Sequence, residues 1–338
     1  MINHIYQLIN PGVISVKYDD IDLNEGIIVK PEYMAVCHAD QRYYMGKRDA
    51  KILKRKLPMA LIHECSGKVV FDSTKTYNIG QKVVLIPNVP SRLNIDGMHE
   101  NYGKDVKFLS SGRDGFMREF VNLPVDRVVP FYNMSSALAS ISEFVSVAVH
   151  AVDRFSKCSH KLKKRIGIWG DGSLSFVLAN VLKEIFPDSK VAIIGRNRLK
   201  LMQFIFVDET YTTDNIPSDF EIDHAFECAG GEGSYYAIDD IIRYINPQGS
   251  VMLMGVSENK VAVNTRDILE KGLTFVGSSR SGREDFKKAI EIMESNKVQK
   301  RLSSIIYEDN KVSSINDIHR VFTTDLNTPF KTVFKWDM

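Results

Sequence analysis

The chain has 338 residues, of which 44% are hydrophobic and 25% charged, a composition typical of globular proteins with room for two ordinary domains. The formal net charge of +2 gives no reason to expect nucleic-acid binding. The sequence has no apolar run long enough to span a membrane and no signal-peptide pattern at its start, so we expect a cytoplasmic protein.

The first third of the chain carries short apolar runs bounded by turn residues, including GIIVKPEYMAVC, HECSGKVVF, GQKVVLIP and DGFMREFVNLPVDRVVPF. Many short strands separated by turns predict a small barrel or sandwich. The polar residues 87–112 are predicted to form a long loop, and such loops in compact domains are usually functional or disordered.

The pattern changes near residue 135. A stretch with helical spacing, SSALASISEFVSVAVHAVDRFSK, is followed from Arg165 by alternating strands and helices. Alternation of this kind predicts a parallel sheet covered by helices. The tail from Leu302 again has a β-rich pattern. The sequence therefore predicts an α/β protein in which a doubly wound domain, residues 148–289, is inserted between two parts of a β-rich domain, residues 1–147 and 290–338.

A glycine-rich turn, RIGIWGDGSLS, joins the first of these strands to a helix. Gly170 and Gly172 match the first two glycines of the dinucleotide-binding pattern, and Ser175 stands at the third position. A pyrophosphate bound there would lie at the helix N-terminus, at Ser173 and Leu174. The alternative is an ordinary strand-to-helix turn.

The next strand ends in IIGRNRLK. NAD sites carry a carboxylate at this place, whereas this chain has Arg196 and Arg198. A guanidinium attracts the 2′-phosphate that distinguishes NADPH, so we expect NADPH to be preferred. The alternative is that both arginines only face solvent.

Four side chains from three segments of the chain form a candidate metal site: Cys37, His63, Glu64 and Glu143. Zinc accepts thiolate, imidazole and carboxylate ligands. Glu143 stands in an otherwise apolar helix, where a carboxylate is costly unless it is paired or bound to a metal. Spacing alone leaves a second interpretation open, a buried cysteine near a hydrogen-bonded histidine. We expect no disulfide, because the four cysteines are widely spaced: Cys37, Cys65, Cys158 and Cys228.

Motifs along the whole chain resemble those of the zinc-dependent medium-chain dehydrogenases, in the same order: AVCHAD, HECSGKVV, GQKVVLIP, DGFMREFV, SEFVSVAVHA, GDGSLS, FECAGG, GSVMLMG and FVGSSRSG. The glutamate before SVAVHA is similar to the polyol-dehydrogenase branch. The resemblance implies a GroES-like β-barrel catalytic domain and a Rossmann cofactor-binding domain.

The resemblance also implies roles for individual residues. Cys37 and His63 would be zinc ligands, while Glu64 and Glu143 would bind the zinc or hold its water. Asp40 would orient His63. Nearby, His38 would lie close to the cofactor pyrophosphate and Tyr43 would contact a substrate hydroxyl, although Tyr43 could equally be a core aromatic residue.

Two departures from the family pattern matter. Residues 87–112 contain no cysteine, so we expect one catalytic zinc and no structural zinc. Ala39 stands where relatives carry a serine or threonine that relays the alcohol proton, so Glu64, His38 or a zinc-bound water would have to replace that hydroxyl.

The segment CHADQRYYMGKR and the loop with its DGFM continuation resemble the ribulose-5-phosphate reductases of the CDP-ribitol pathway. This implies NADPH-dependent reduction of D-ribulose 5-phosphate to D-ribitol 5-phosphate for teichoic acid or capsule synthesis. A sugar phosphate needs cationic partners, and among the nearby basic residues we favour Arg42 and Arg113.

The resemblance further implies a homodimer paired through the strand GLTFVGSS and leaves open binding to a ribitol-5-phosphate cytidylyltransferase. The main alternative function is another polyol or secondary-alcohol dehydrogenase of the sorbitol-dehydrogenase-like branch. A non-catalytic NADPH-binding protein is the alternative of a different class.

Overall fold

The computed structural model describes residues 1–24, 26–91 and 97–338. The chain divides into two compact units, Met1–Ser146 with Arg280–Met338, and Val147–Ser279. Residues 92–96 of the loop expected at 87–112 lie outside the described part. Among the helices of the described part, none combines the length and the apolar character that crossing a membrane requires.

The elements before the second unit's sheet are, in chain order, β1 (Ile2–Asn10), β2 (Val13–Asp20), β3 (Ile27–Ala35), α1 (His38–Tyr44), α2 (Ala50–Lys56), β4 (Met59–Ala60), β5 (Glu64–Asp72), β6 (Lys82–Leu85), β7 (Asn88–Val89), β8 (Lys107–Phe108), β9 (Val121–Leu123), β10 (Val128–Pro130), α3 (Ser136–Ala139) and α4 (Ser142–Cys158). The parallel sheet and its helices follow: β11 (Arg165–Trp169), α5 (Ser173–Ile185), β12 (Lys190–Gly195), α6 (Arg198–Leu201), β13 (Glu209–Thr212), β14 (His224–Glu227), α7 (Gly233–Tyr244), β15 (Ser250–Leu253), α8 (Thr265–Lys271) and β16 (Thr274–Gly277). The chain then returns to the first unit with α9 (Arg283–Met293), α10 (Asn296–Ser303), β17 (Ile306–Val312), α11 (Ile315–Asp325) and β18 (Lys331–Trp336).

The first unit is built on a sheet with the strand order β10-β6-β5-β3-β18-β17, to which β9 adds by pairing with β3. A smaller sheet has the order β2-β1-β4. Apolar side chains from both sheets, such as Leu8 and Trp336, form one buried core. Antiparallel pairing sets Ala35 of β3 opposite Glu64 of β5, so the end of one strand meets the start of the other.

The second unit contains a parallel sheet with the order β13-β12-β11-β14-β15-β16. The chain runs from β11 to one edge and resumes at β14 on the other side, which is the doubly wound arrangement. Its central strands are nearly continuous apolar runs because helices cover both faces of such a sheet. The predicted α/β class, with a β-rich unit and a doubly wound unit, is confirmed.

Helix α9 belongs to the first unit over its whole length, so the structure ends the inserted unit at Ser279, ahead of the predicted residue 289. Two hydrogen bonds connect helix α9 to the rest of the first unit. The Arg283 amide donates to Glu100 Oε1 at 2.7 Å, and Glu294 Oε1 accepts from the Tyr132 amide at 2.8 Å.

The tail, expected to be β-rich, contains helix α11 between its two strands. The Ser314 hydroxyl caps this helix by accepting from the Asp317 amide at 3.2 Å. Ile318, Val321 and Phe322 are buried at helical spacing. The capping serine, the acidic third residue and this spacing together are a helix signal that the strand interpretation overlooked.

Candidate active site

Three of the predicted metal ligands come together where β3 ends and β5 begins. Cys37 caps helix α1 just after β3, and His63 and Glu64 lead into β5. One donor atom from each of the three residues lies within 4.8 Å of the other two. The thiolate, imidazole and carboxylate in this group are a donor set that suits zinc.

Asp40 orients His63. Its carboxylate is fully buried and lies with Oδ2 3.1 Å from His63 Nδ1. Its Oδ1 accepts from the Ile62 amide at 3.1 Å and from the Ser110 hydroxyl. A proton held on Nδ1 leaves the Nε2 lone pair available to a metal.

The electrostatic environment of this group favours a cation. Burial alone would lower the pKa of His63, but the Asp40 carboxylate and the Cys37 thiol raise it well above its ordinary value. The pocket therefore stabilises positive charge at His63, which is the charge that a divalent metal would supply.

Lys331, at the start of β18, holds the other side of Glu64. Its ammonium pairs with Glu64 Oε1, donates to the Val36 carbonyl at 2.9 Å and lies 4.7 Å from the centre of the Phe144 ring. Burial would lower the pKa of Lys331, but Glu64 raises it above its ordinary value, so the ammonium stays charged. Sequence reasoning missed Lys331, because a lysine that begins a strand is ordinarily solvated.

The second carboxylate oxygen of Glu64 is not bound by Lys331. Oε2 is buried and has no hydrogen-bond partner within residues 1–24, 26–91 and 97–338. A buried carboxylate oxygen left unpaired is costly unless a ligand completes it. Since this oxygen belongs to a group that includes Cys37 and His63, the residues present fit a bound metal ion.

Glu143 interacts electrostatically with His63 and Glu64 but is not one of the three residues of this group. It occupies the first turn of α4 and is almost fully buried. Burial and the nearby Glu64, opposed by His63, raise the pKa of Glu143 to about 7. Its role as a zinc ligand stays a prediction.

The other predicted residues of this segment differ in exposure. His38 is exposed at the start of α1, next to Ala39. Tyr43 is only 3% exposed and belongs to the hydrophobic core, as the alternative interpretation has it. Arg42 is half-buried and donates to the Lys47 carbonyl at 3.4 Å, and Arg113 is exposed. Their roles in substrate binding stay predictions.

The glycine-rich turn of the second unit has the geometry that its residues predict. Gly170 has a φ of +133°, and a Cβ there would lie 2.9 Å from the Cys228 backbone, so only glycine fits. Gly172 caps α5 with open space around it. Ser175 is fully buried behind the turn. These features leave the N-terminus of α5 accessible to an anion.

A pocket of about 590 Å³ lies beside this turn and is lined by Asp171, Arg196, Asn197, Arg198 and Lys200. Three of these five side chains are cationic, which suits a phosphate group. The predicted pair Arg196 and Arg198 therefore lines a cavity on the same unit as the glycine-rich turn.

Asp171 changes one expectation. No carboxylate was expected at the end of β12, yet Asp171 reaches it from the glycine-rich turn. Its Oδ2 accepts from the Arg196 and Asn197 amides, both at 2.7 Å. A Cβ on Gly195 would lie 2.5 Å from the Asp171 Cβ, so glycine is required there. Asp171 therefore positions the backbone of the segment that carries the arginines.

Comparisons with known proteins agree with these features. The model of the alcohol dehydrogenase GroES-like domain matches residues 24–133, and the zinc-binding dehydrogenase model matches residues 208–295. The chain is 56% identical to a ribulose-5-phosphate reductase of Streptococcus pneumoniae, over all of this chain and 98% of that one. It is 46% identical to ribulose-5-phosphate reductase 1 of Staphylococcus aureus, over all of both chains.

Among solved structures, S. aureus TarJ in complex with NADPH superposes over all of both chains with a TM-score of 0.89 and 42% identity. The chain belongs to the zinc-dependent medium-chain dehydrogenases, in the group of the ribulose-5-phosphate reductases.

Proposed function

We propose that the protein is an NADPH-dependent zinc reductase that converts D-ribulose 5-phosphate to D-ribitol 5-phosphate. The buried group of Cys37, His63 and Glu64, with one unpaired carboxylate oxygen, carries the proposal. Full-length similarity to proteins named ribulose-5-phosphate reductase supports the choice of substrate.

Within the first unit, Cys37, His63 and Glu64 would hold one catalytic zinc, with Glu143 as an additional or exchanging carboxylate. When bound, zinc supplies a Lewis acid that stabilises negative charge on the substrate's C2 oxygen. Asp40 keeps the His63 ring in the ligating orientation through Nδ1. Lys331 keeps Glu64 in place through the opposite oxygen. The absence of cysteine from residues 87–112 supports a single zinc.

The second unit would bind the cofactor. Gly170, Gly172, Ser173 and Leu174 would receive the pyrophosphate at the N-terminus of α5. Arg196 and Arg198 would bind the 2′-phosphate in the pocket that they line. When bound, NADPH would supply the hydride for C2. The S. aureus TarJ structure with NADPH supports this choice of cofactor.

A proton must reach the C2 oxygen to complete the alcohol. Ala39 has no hydroxyl, so the family's usual relay is missing. His38 is exposed and adjoins both Ala39 and the ligand Cys37, so it can exchange protons with water. We assign the relay to His38 together with Glu64.

The substrate contacts, the pathway and the assembly are proposed as well. The substrate would contact Arg42 and Arg113, and its product would supply CDP-ribitol for teichoic acid or capsule synthesis in the cytoplasm. Strand β16 is an edge of the parallel sheet and would pair with its copy in a homodimer. A ribitol-5-phosphate cytidylyltransferase, which consumes the product, would be a partner.

The test measures NADPH oxidation with ribulose 5-phosphate, xylulose 5-phosphate and unphosphorylated ribulose, together with the zinc content of the purified protein. We expect about one zinc per chain and selective reduction of ribulose 5-phosphate. Equal reduction of ribulose would support the alternative, a general polyol or secondary-alcohol dehydrogenase. Protein that retains NADPH but binds no zinc would refute the zinc reductase.

A further inference from the structure

Arg280 is an exposed cation held beside the proposed zinc ligands. Its guanidinium lies 5.2 Å from the centre of the Phe108 ring. The Phe108 ring in turn packs edge-on against His63, with 5.3 Å between the ring centres. Arg280 therefore contacts Phe108, and Phe108 contacts the proposed zinc ligand His63, so a single aromatic ring separates the guanidinium from that ligand.

A second set of contacts fixes the backbone that carries Arg280. The neighbouring Ser281 hydroxyl donates to Ser146 Oγ at 2.6 Å, because the Ser146 hydroxyl itself donates to the Glu143 carbonyl at 2.6 Å. All three residues are buried. The segment is thus anchored to the turn of α4 that presents Glu143, next to the metal group.

Arg280 adopts the left-handed backbone conformation, with a φ of +59°. This conformation is uncommon for residues other than glycine and asparagine, and such residues cluster at functional sites. Within the described chain Arg280 forms no ion pair with a carboxylate. Its charge is therefore available to a ligand, while its position is set by Phe108 and Ser281.

We propose that Arg280 binds the phosphate group of the substrate, an inference that rests on the proposed function. The zinc ligands mark the place of the C2 oxygen, and three carbon–carbon bonds separate C2 from the carbon that bears the phosphate. A guanidinium on an aromatic ring beside those ligands offers two parallel N–H donors to a phosphate. Arg280 would then distinguish a sugar phosphate from the free sugar.

The experiment compares Arg280→Met and Arg280→Lys with Arg266→Met. Arg266 is a matched control because its side chain is 83% exposed and pairs with Glu270 on helix α8. The kcat/KM is measured for ribulose 5-phosphate and for ribulose at saturating NADPH. Binding of inorganic phosphate to the zinc-loaded protein is measured by calorimetry, and zinc content and thermal midpoint are recorded for each variant.

We expect Arg280→Met to lower kcat/KM for ribulose 5-phosphate by about ten- to hundredfold, the size of a lost charged hydrogen bond, mainly through KM. The kcat/KM for ribulose should change by less than about twofold. Arg280→Lys should recover part of the loss, because it keeps the charge without the paired donors. Phosphate binding should be lost in Arg280→Met and kept in Arg266→Met.

Equal losses for both sugars would overturn the proposal, since Arg280 would then only support Phe108 and His63. An unchanged KM for ribulose 5-phosphate, or a phosphate-specific loss in Arg113→Met in place of Arg280→Met, would overturn it as well. If the wild-type protein binds zinc and NADPH but does not reduce ribulose 5-phosphate, the proposed function fails. The binding of inorganic phosphate then decides the role of Arg280 separately.

Discussion

Buried charged groups are used differently in the two units. In the first unit, charged side chains face other charged side chains, as in Asp40 with His63 and Glu64 with Lys331. In the second unit, two carboxylates, the half-buried Asp171 and the buried Glu227, hold backbone amides. Asp171 accepts from the Arg196 and Asn197 amides, and Glu227 Oε1 accepts from those of Ala229 and Gly230.

The difference matches what each region must do. Opposed side-chain charges create a site whose net charge a bound metal would balance, and breaking one pair leaves an uncompensated buried ion. A carboxylate that binds backbone amides shapes a loop, and its loss changes the position of that loop more than the charge of the site. Variants that remove one partner at a time test this contrast.

The largest effect is expected at Lys331. Lys331→Met leaves the Glu64 carboxylate buried without its cation, so the metal-free protein should lose about 3–5 kcal/mol of unfolding free energy. Zinc should restore part of this loss, because the metal compensates the same carboxylate. Urea unfolding with and without zinc measures both quantities.

The control for Lys331 is Lys157→Met, which breaks an exposed pair with Asp153 on helix α4. It should change the unfolding free energy by no more than about 0.5 kcal/mol. A small loss in Lys331→Met, similar to that of the control, would contradict the contrast between the pairs.

The second unit is tested by the pH dependence of the unfolding free energy that His224 causes. His224 is fully buried, accepts from the Ser250 amide through Nδ1 at 3.0 Å and lies with Nε2 3.0 Å from the Leu162 carbonyl. Burial, together with the neighbouring His160 and Lys163, lowers the pKa of His224 to about 4. Below pH 6.5 the unfolded chain therefore binds a proton that the folded protein does not.

Stability should accordingly be full above pH 6.5 and fall as the pH drops towards 4, by about 2 kcal/mol at pH 5 from this residue alone. His224→Asn should remove that part of the pH dependence, whereas His4→Asn should keep it. Unfolding free energies measured from pH 8 to pH 5 give the comparison. The same slope in wild type and His224→Asn would show that His224 is not buried as a neutral ring.

Asp40→Asn tests the orientation of His63. The amide keeps the size of the side chain and removes the charge that stabilises the Nδ1 proton. Zinc affinity should fall by about ten- to hundredfold, the usual effect of removing a carboxylate behind a ligating histidine. Competition with a chelator measures it. Asp114→Asn, which changes a carboxylate bound to the Ala60 amide and Gln7, should leave zinc affinity unchanged.

The smallest effect is expected at Asp171. Asp171→Ala removes the acceptor for the Arg196 and Asn197 amides, so the arginines lose their fixed position. The KM for NADPH should rise by up to about tenfold, the scale of one or two hydrogen bonds, and the KM for NADH should change less. Arg196→Asp should reverse the preference towards NADH. If Asp171→Ala weakens both cofactors equally, the residue supports the whole turn and not the arginines.

Sequence patterns were sufficient where local spacing decides the structure. The alternation of apolar strands and helices predicted the parallel sheet, and the two glycines predicted the turn at Gly170. The strand interpretation of the tail overlooked the local helix signal of α11, whose short buried stripe is flanked by strands. Local patterns left Tyr43 ambiguous, because an aromatic residue beside a ligand can be core or contact, and burial alone shows its place in the core.

The sequence by itself determined the α/β class, the identity of the candidate ligands Cys37 and His63, and the cationic end of β12. Only the tertiary structure decided which distant side chains contact these site residues. Lys331 meets Glu64, and Asp171 meets the Arg196 amide, through strand register and chain path across the fold. No local periodicity encodes such contacts, because they depend on how distant segments pack.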